Sequence, residues 1–154
     1  MPIRKMELKD IPAVLDIQNA LAFQDWNVRQ MEQEISANYT YAVVYESGSA
    51  EILGYAIFHL LGPDTELLSI AVSDKVQRSG IGGELLLSGF SQLNFENGDC
   101  CFLEVRENNQ KARRFYEKFG FQLFGIRKKY YSDGENAALY KAESSSLNSL
   151  FKGI

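Results

Sequence analysis

Gln77-Arg78-Ser79-Gly80-Ile81-Gly82, followed at once by Gly83, stands between a β-like run, Thr65 to Val72, and a helix-like one, Gly83 to Phe95. Glycines at 80 and 82 carry no Cβ, so a ligand can reach the main chain, and successive N–H groups of an opening helical turn can converge on one anion. The helix dipole and Arg78 add positive potential at the same place. The junction therefore reads as a pyrophosphate socket, with Gln77, Arg78, Ser79, Gly80, Ile81 and Gly82 as candidate binding residues. Two better-known phosphate loops do not fit. No Gly-Lys-Ser/Thr follows, and glycines at 80, 82 and 83 lack the first, third and sixth spacing of the dinucleotide fingerprint.

Working outward from this loop, the N-terminal half reads as a short strand, Ile3 to Lys5, then a helix capped by Asp10 that carries Ile11, Val14, Leu15 and Leu21 on one side. Pro12 in the first turn supports that start. A second helix begins at Asn27, with Gln30 in capping-box position and Trp26 and Met31 placed as a hydrophobic staple; it ends near Ser36 to Asn38. Runs Tyr39 to Glu46 and Ile52 to Leu61 flank Ser47-Gly48-Ser49 as a hairpin, and Gly62-Pro63-Asp64 turns the chain into the third strand, Thr65 to Val72.

Beyond the loop, Ile81, Leu85, Leu86, Phe90 and Leu93 form a helical stripe stopped by Asn97-Gly98-Asp99. Cys100 to Val105 is short and almost wholly apolar, as expected of a buried strand reached by a helical crossover. Asn109 caps another helix, with Ala112, Phe115, Tyr116 and Phe119 on one face and Gly120 at its end. Strands Phe121 to Lys129 and Asn136 to Ala142 follow, joined across Ser132-Asp133-Gly134. This order implies an α/β sandwich around a mixed sheet.

A chain of 154 residues suits one domain, long enough to bury roughly 70% of the surface its unfolded form exposes. Residues 1–143 are expected to form that domain, and 144–154 a tail. Leu147, Leu150, Phe151 and Ile154 repeat at helical spacing after the serines 144–146, so the tail reads either as a short helix docked on the domain or a partner, or as disorder. A net charge of −4 argues against general nucleic-acid or anionic-membrane binding, although Arg127-Lys128-Lys129 is a local basic cluster. No apolar run is long enough to span a bilayer and the start is not that of a signal peptide, so a soluble cytoplasmic protein is expected. Adjacent Cys100 and Cys101 do not suit a disulfide, and with His59 the sole histidine no metal-ligand spacing is present.

The loop motif resembles the acetyl-CoA signature, Gln/Arg-x-x-Gly-x-Gly/Ala, of the GNAT superfamily of N-acetyltransferases. Leu67-Leu68-Ser69-Ile70-Ala71-Val72 before it is similar to the RimI branch of that family, as are Leu103-Glu104-Val105-Arg106-Glu107-Asn108-Asn109 and Ala112 to Phe121 after it. The likeness is strongest from about Thr65 to Tyr131. It implies a GNAT-like mixed, mostly antiparallel sheet flanked by helices, with two central strands splayed for acetyl-CoA. It implies acetyl-CoA as co-substrate, no metal, and an acceptor that is the N-terminal, alanine-type α-amine of a ribosomal protein. The same fold acting on a small amine, and a non-catalytic acetyl-CoA-binding module, are the alternatives.

Acetyl transfer needs a neutral amine, a polarised carbonyl and a proton for the departing thiolate. A peptide amine has a pKa of about 7.7 to 8.0, within reach of a carboxylate base. Glu104 interrupts the apolar strand near its end, where partial burial is expected to make it a better base. A phenol of pKa about 10 can protonate a thiolate whose conjugate acid lies near 8.5 at small cost, and Tyr116 fits that role. The resemblance places the catalytic base at Glu104, the acid at Tyr116 and a cofactor-contacting asparagine at Asn109. It also places backbone that pairs with the pantetheine arm at Ile70, Ala71 and Val72, and an acceptor groove around Trp26, Tyr130 and Tyr131, with Asp25 where the branch has proline. Direct attack in a ternary complex would leave both cysteines as spectators. Plainer readings stand beside these: an ion pair of Glu104 with Arg106 or Lys111, core packing for Tyr116, strand-end packing for Tyr130 and Tyr131, a staple for Trp26, and a structural His59.

Overall fold

Side-chain alternation along the strands and a few capping motifs account for most of the architecture. The computed structural model describes residues 2–21, 26–77, 79–91 and 100–143. The strands are β1 (Ile3–Lys5), β2 (Thr40–Glu46), β3 (Ile52–Leu61), β4 (Asp64–Val72), β5 (Cys100–Arg106), β6 (Gln122–Arg127) and β7 (Ala137–Glu143). The helices are α1 (Ile11–Leu21), α2 (Val28–Ser36), α3 (Ile81–Phe90) and α4 (Gln110–Lys118), with 3₁₀ turns at Leu8–Asp10 and Asp74–Val76. Strands hydrogen-bond in the order β1-β2-β3-β4-β5-β7-β6. β4 and β5 pair in parallel, whereas β1–β2, β2–β3, β5–β7 and β6–β7 are antiparallel, which is the mixed α/β sheet expected. Two compact units divide the chain, Met1–Leu60 with Leu68–Gln92 and Leu61–Leu67 with Leu93–Ile154. The expectations for the loop at Asp25, for Leu93 and the stop at Asn97-Gly98-Asp99, and for the tail 144–154 lie outside the described residues, as does the side chain of Leu21.

In the first unit, β3 is buried without a break from Gly54 to Phe58 because both of its faces are covered. Tyr55 and Ile57 point one way, into a core with Ala42, Val44, Ile11 and Met31, so α1 and α2 lie on that face. Gly54 and Phe58 point the other way, toward α3. A Cβ on Gly54 would stand 3.0 Å from Leu85 Cδ1, and one on Gly89 would stand 2.1 Å from the Phe58 ring. The two glycines let helix and strand approach closely, and Tyr41 Oη and Ser88 Oγ tie the same contact at 3.0 Å.

The α2 start follows the sequence reading. Asn27 Oδ1 accepts from Gln30 N at 2.8 Å, and Gln30 Oε1 accepts from Asn27 N at 2.9 Å. Met31 is fully buried, with Trp26 packed on the same core. The α1 start does not follow it. Asp10 closes the turn Leu8–Asp10 instead of capping α1, and its carboxylate accepts from Glu7 N at 2.8 Å and from both guanidinium nitrogens of Arg4 at 2.8 Å. A buried carboxylate finds a stronger partner in a guanidinium than in a helix amide. His59 is structural: its Nε2 meets Glu34 Oε1, and Tyr39 stands edge-on to its ring at 4.8 Å.

In the second unit, β5 alternates. Cys101, Leu103 and Val105 are buried, and their register partners on β7, Ala142, Tyr140 and Ala138, are buried with them. This is the α4 face, because Arg113 Nε donates to Tyr140 Oη at 2.9 Å and Tyr140 Oη donates to Glu117 Oε2 at 2.8 Å. Asn109 caps α4 by accepting from Ala112 N at 3.1 Å, and Gly120, φ 91°, ends it in the left-handed conformation. Phe102, Glu104 and Arg106 fall on the opposite face of β5. The strand is thus half-buried, not enclosed on both sides as its apolar run led us to expect.

Candidate active site

The loop between β4 and α3 is braced from within. Gln77 Nε2 donates to Val72 O at 2.7 Å, Ser79 Oγ donates to Val76 O at 2.6 Å, and Ser73 caps the 3₁₀ turn. Gly80 precedes α3 at φ 87°, a left-handed conformation that favours glycine, with open space where a Cβ would point. Glu84 N makes the first helical bond, to Gly80 O at 3.1 Å, so the amides of Ile81, Gly82 and Gly83 belong to the turn that has no acceptor inside the helix. Buried Ile81, Leu85 and Leu86 fix that turn to the core. Backbone amides aimed out of an anchored helix start suit a diphosphate. Arg78 lies outside the described residues. Ile70, Ala71 and Val72 form the last part of β4, in the first unit; within the second, β4 pairs in parallel with β5 from Asp64 with Cys100 to Leu67 with Leu103.

Glu104 follows Leu103 on β5. The strand turns it to the face that α4 does not cover, where its side chain keeps 30% of its surface exposed, the partial burial expected of it. Its carboxylate stands 3.6 Å from Arg127 Nη1 and lies close enough to the Tyr130 phenol to favour its protonated form by hydrogen bonding. That hydrogen bond, with burial and the negative charge of Glu104 adding to it, raises the Tyr130 pKa above the ordinary tyrosine value. Tyr131, whose pKa is raised first by burial and then by Glu104, meets the Tyr130 ring edge-on at 5.1 Å. Arg127 lies over the Tyr130 ring at 5.1 Å and Arg106 over the Tyr131 ring at 4.3 Å. Arg106 is also held by Asp133 at 2.8 Å, whereas the cation beside Glu104 is Arg127.

The structure thereby brings Glu104, Tyr130 and Tyr131 together and adds Arg127 and Arg106. Tyr116 lies on the other side of β5, in α4, nearly buried and edge-on to Phe121 at 5.8 Å and Phe115 at 5.4 Å. Asn109 heads the same helix. Trp26 belongs to the first unit, where its carbonyl accepts from Gln18 Nε2 at 3.1 Å. Cys101 is fully buried, and burial pushes its thiol well above the usual range, which disfavours the thiolate a nucleophile would need.

A groove of about 370 Å³ opens beside Glu104, walled by Leu61, Phe102, Phe124 and Leu139. Asp64 and Glu66 line it further along β4, and Arg127 lines it on the β6 side.

A mixed sheet with a parallel β4–β5 pair, and a helix start after β4 that suits an anion, has the form of an acyl-transfer fold, and residues 8–121 match the Acetyltransferase (GNAT) family. The chain belongs to that family and is an N-acetyltransferase. Family members use acetyl-CoA as co-substrate. Among its relatives is the N-alpha-acetyltransferase RimI of Mycobacterium tuberculosis, 32% identical, with 77% of this chain and 75% of that protein covered. The crystal structure of the ribosomal-protein-S18-alanine N-acetyltransferase from Escherichia coli superposes with a TM-score of 0.80 at 28% identity over 91% of each chain. A spermidine N-acetyltransferase from Vibrio cholerae shares the fold at a TM-score of 0.79 and 17% identity, covering 96% of this chain and 97% of that one.

Proposed function

We propose that this protein transfers the acetyl group of acetyl-CoA to the N-terminal α-amine, alanine-type, of a ribosomal or other protein, by direct attack within a ternary complex. The observation that carries the reading is the partly covered Glu104 carboxylate, set beside two tyrosines and one residue past Leu103, the last β5 residue of the Asp64–Leu67 register. A base there meets the amine on the open face of β5, while Tyr116 lies on the α4 face, the side to which the thiolate departs. Glu104, or a water it holds, takes the ammonium proton and passes it to solvent; the neutral nitrogen adds to the carbonyl carbon; the C–S bond breaks as Tyr116 gives its proton to sulfur, and the second proton shed by the nitrogen restores the Tyr116 phenol through water. Amides of the α3 start hold the diphosphate, Asn109 contacts the same ligand, and the Ile70 to Val72 backbone aligns the pantetheine arm and polarises the thioester. Trp26, Tyr130 and Tyr131 shape the acceptor groove.

The two relatives whose printed names include α-amine or alanine N-acetylation support this acceptor class over a small amine, for which the likeness at 17% identity speaks to the fold alone. Incubation with acetyl-CoA and an alanine-starting peptide should release free thiol and add one acetyl group at the peptide α-amine. A peptide with a blocked α-amine and an internal lysine should be inert. Acetylation of that blocked peptide, or of spermidine alone, would overturn the reading.

A further inference from the structure

The groove beside Glu104 carries carboxylate charge that has no ion-pair partner among the described residues. Asp64 and Glu66 both line it, and as residues two apart on one strand they share a face. Among the described residues neither carboxylate has an ion-pair or hydrogen-bond partner. Glu104, by contrast, is held by Arg127 and Tyr130. Two further cations on this face are engaged elsewhere: Lys141 rests over the Phe124 ring at 5.7 Å, and Arg106 is held by Asp133 at 2.8 Å. Three carboxylates and one guanidinium therefore line a cleft whose remaining wall is apolar.

Register gives the scale. Glu66 pairs with Phe102 and Asp64 with Cys100, so the two carboxylates lie about 7 and about 13 Å along the strand from Glu104. An extended peptide advances about 3.3 Å per residue. A chain whose amine sits at Glu104 would carry its next few side chains past Glu66 and Asp64, over the rings of Phe102 and Phe124.

We propose that this groove is a specificity subsite for the acceptor, taking the segment directly behind the α-amine and selecting a lysine or arginine within its first four residues through Asp64 and Glu66. This rests on the α-amine reading above, and it adds a substrate class to it: basic amino-terminal peptides. The aliphatic stem of the basic side chain would lie against Phe102 and Leu61 while its head reaches the carboxylates.

The test uses the full chain, acetyl-CoA and a series of alanine-starting hexapeptides with lysine, norleucine or glutamate at the second, third or fourth position. The lysine peptides should show a KM at least about tenfold below the norleucine peptides, a preference that shrinks as salt is raised. In Asp64→Asn/Glu66→Gln, and in the milder single variant Glu66→Gln, the ratio should fall toward one, and Glu66→Lys should turn the preference toward glutamate. Calorimetry with a des-amino lysine peptide, which can bind but not react, gives a second readout that needs no turnover. Acetylation of α-amines with the same KM for lysine and norleucine peptides, or a ratio untouched by the variants, overturns the subsite and leaves the α-amine reading standing. Des-amino peptide binding that the variants weaken, with no α-amine acetylated by the parent protein, supports the subsite and overturns the α-amine reading. Absence of binding and of peptide turnover overturns both.

Discussion

At the scale of single residues, Glu104 and Tyr116 are assigned to proton transfers, not to holding the cofactor. Glu104→Gln and Tyr116→Phe should each lower kcat by about tenfold or more, with the Kd for acetyl-CoA nearly unchanged in titration calorimetry. A loss of affinity matching the loss of rate would assign these side chains to binding instead. Tyr130 offers an independent probe. Its folded-state pKa lies above the ordinary value near 10 because Glu104 holds its proton, so any stability it contributes is present below pH 10 and is lost as pH rises through the folded value. In a spectrophotometric titration, Glu104→Gln should bring one tyrosine ionisation down toward 10. Glu104 was legible in the sequence because a lone carboxylate broke an apolar strand, and Tyr116 because it sat on a helical stripe. Arg127 was not: its contact with Glu104 exists only because β7 lies between β5 and β6, and parity along one strand says nothing about a neighbour two strands away. The one-sided cover of β5 has the same origin, since an apolar run does not reveal which of its two faces a helix will cover.

At the scale of elements, close approach of α3 to β3 is the tightest constraint in the first unit. Helix propensity alone would make Gly89→Ala stabilising by about 1 kcal/mol. A Cβ 2.1 Å from the Phe58 ring overrules that, because a rigid ring between packed layers has no room to retreat. The variant should instead lose roughly 1 to 3 kcal/mol in urea denaturation, and Phe58→Leu in the same chain should recover part of it. The anchor of β1 is electrostatic. Arg4 binds Asp10, which is 4% exposed, and also Glu46, so Arg4→Met should cost about 3 kcal/mol by stranding a buried carboxylate. Arg4 holds the Asp10 carboxyl below the usual carboxylate range. The stability tied to Asp10 is therefore present above its unfolded pKa of about 3.9 and lost as pH falls through the folded value, so the difference between parent and variant should narrow in unfolding curves below pH 4. Caps, turns and the strand sequence were readable because each rests on contacts between near neighbours, as Asn27 with Gln30 and Asn109 with Ala112 show. The order β5-β7-β6 and the fit of Gly54 and Gly89 were not, because both are settled by which surfaces meet after collapse.

At the scale of the whole molecule, a ligand gripped by the folded chain and absent from the unfolded one shifts the folding equilibrium by mass action. Acetyl-CoA at a hundred times its Kd should add about 2.7 kcal/mol, which for a chain of 154 residues corresponds to a Tm rise of roughly 5 to 10 °C in a thermal melt. Gly80→Ala should shrink that rise, because a Cβ at φ 87° strains the turn that aims the amides, although no neighbouring atom blocks it. Desulfo-CoA, which keeps the diphosphate, should still raise Tm; a ligand-free melting curve unchanged by either compound would remove the socket from the account. The enclosure of Cys101 has a practical corollary. An aromatic disulfide reagent, added to count the coenzyme set free during turnover, would find that sulfur shielded for as long as the sheet holds, and would label it on each opening. Under a few molar urea the same colour reaction becomes a stopwatch for unfolding, with Cys101 as its built-in reporter.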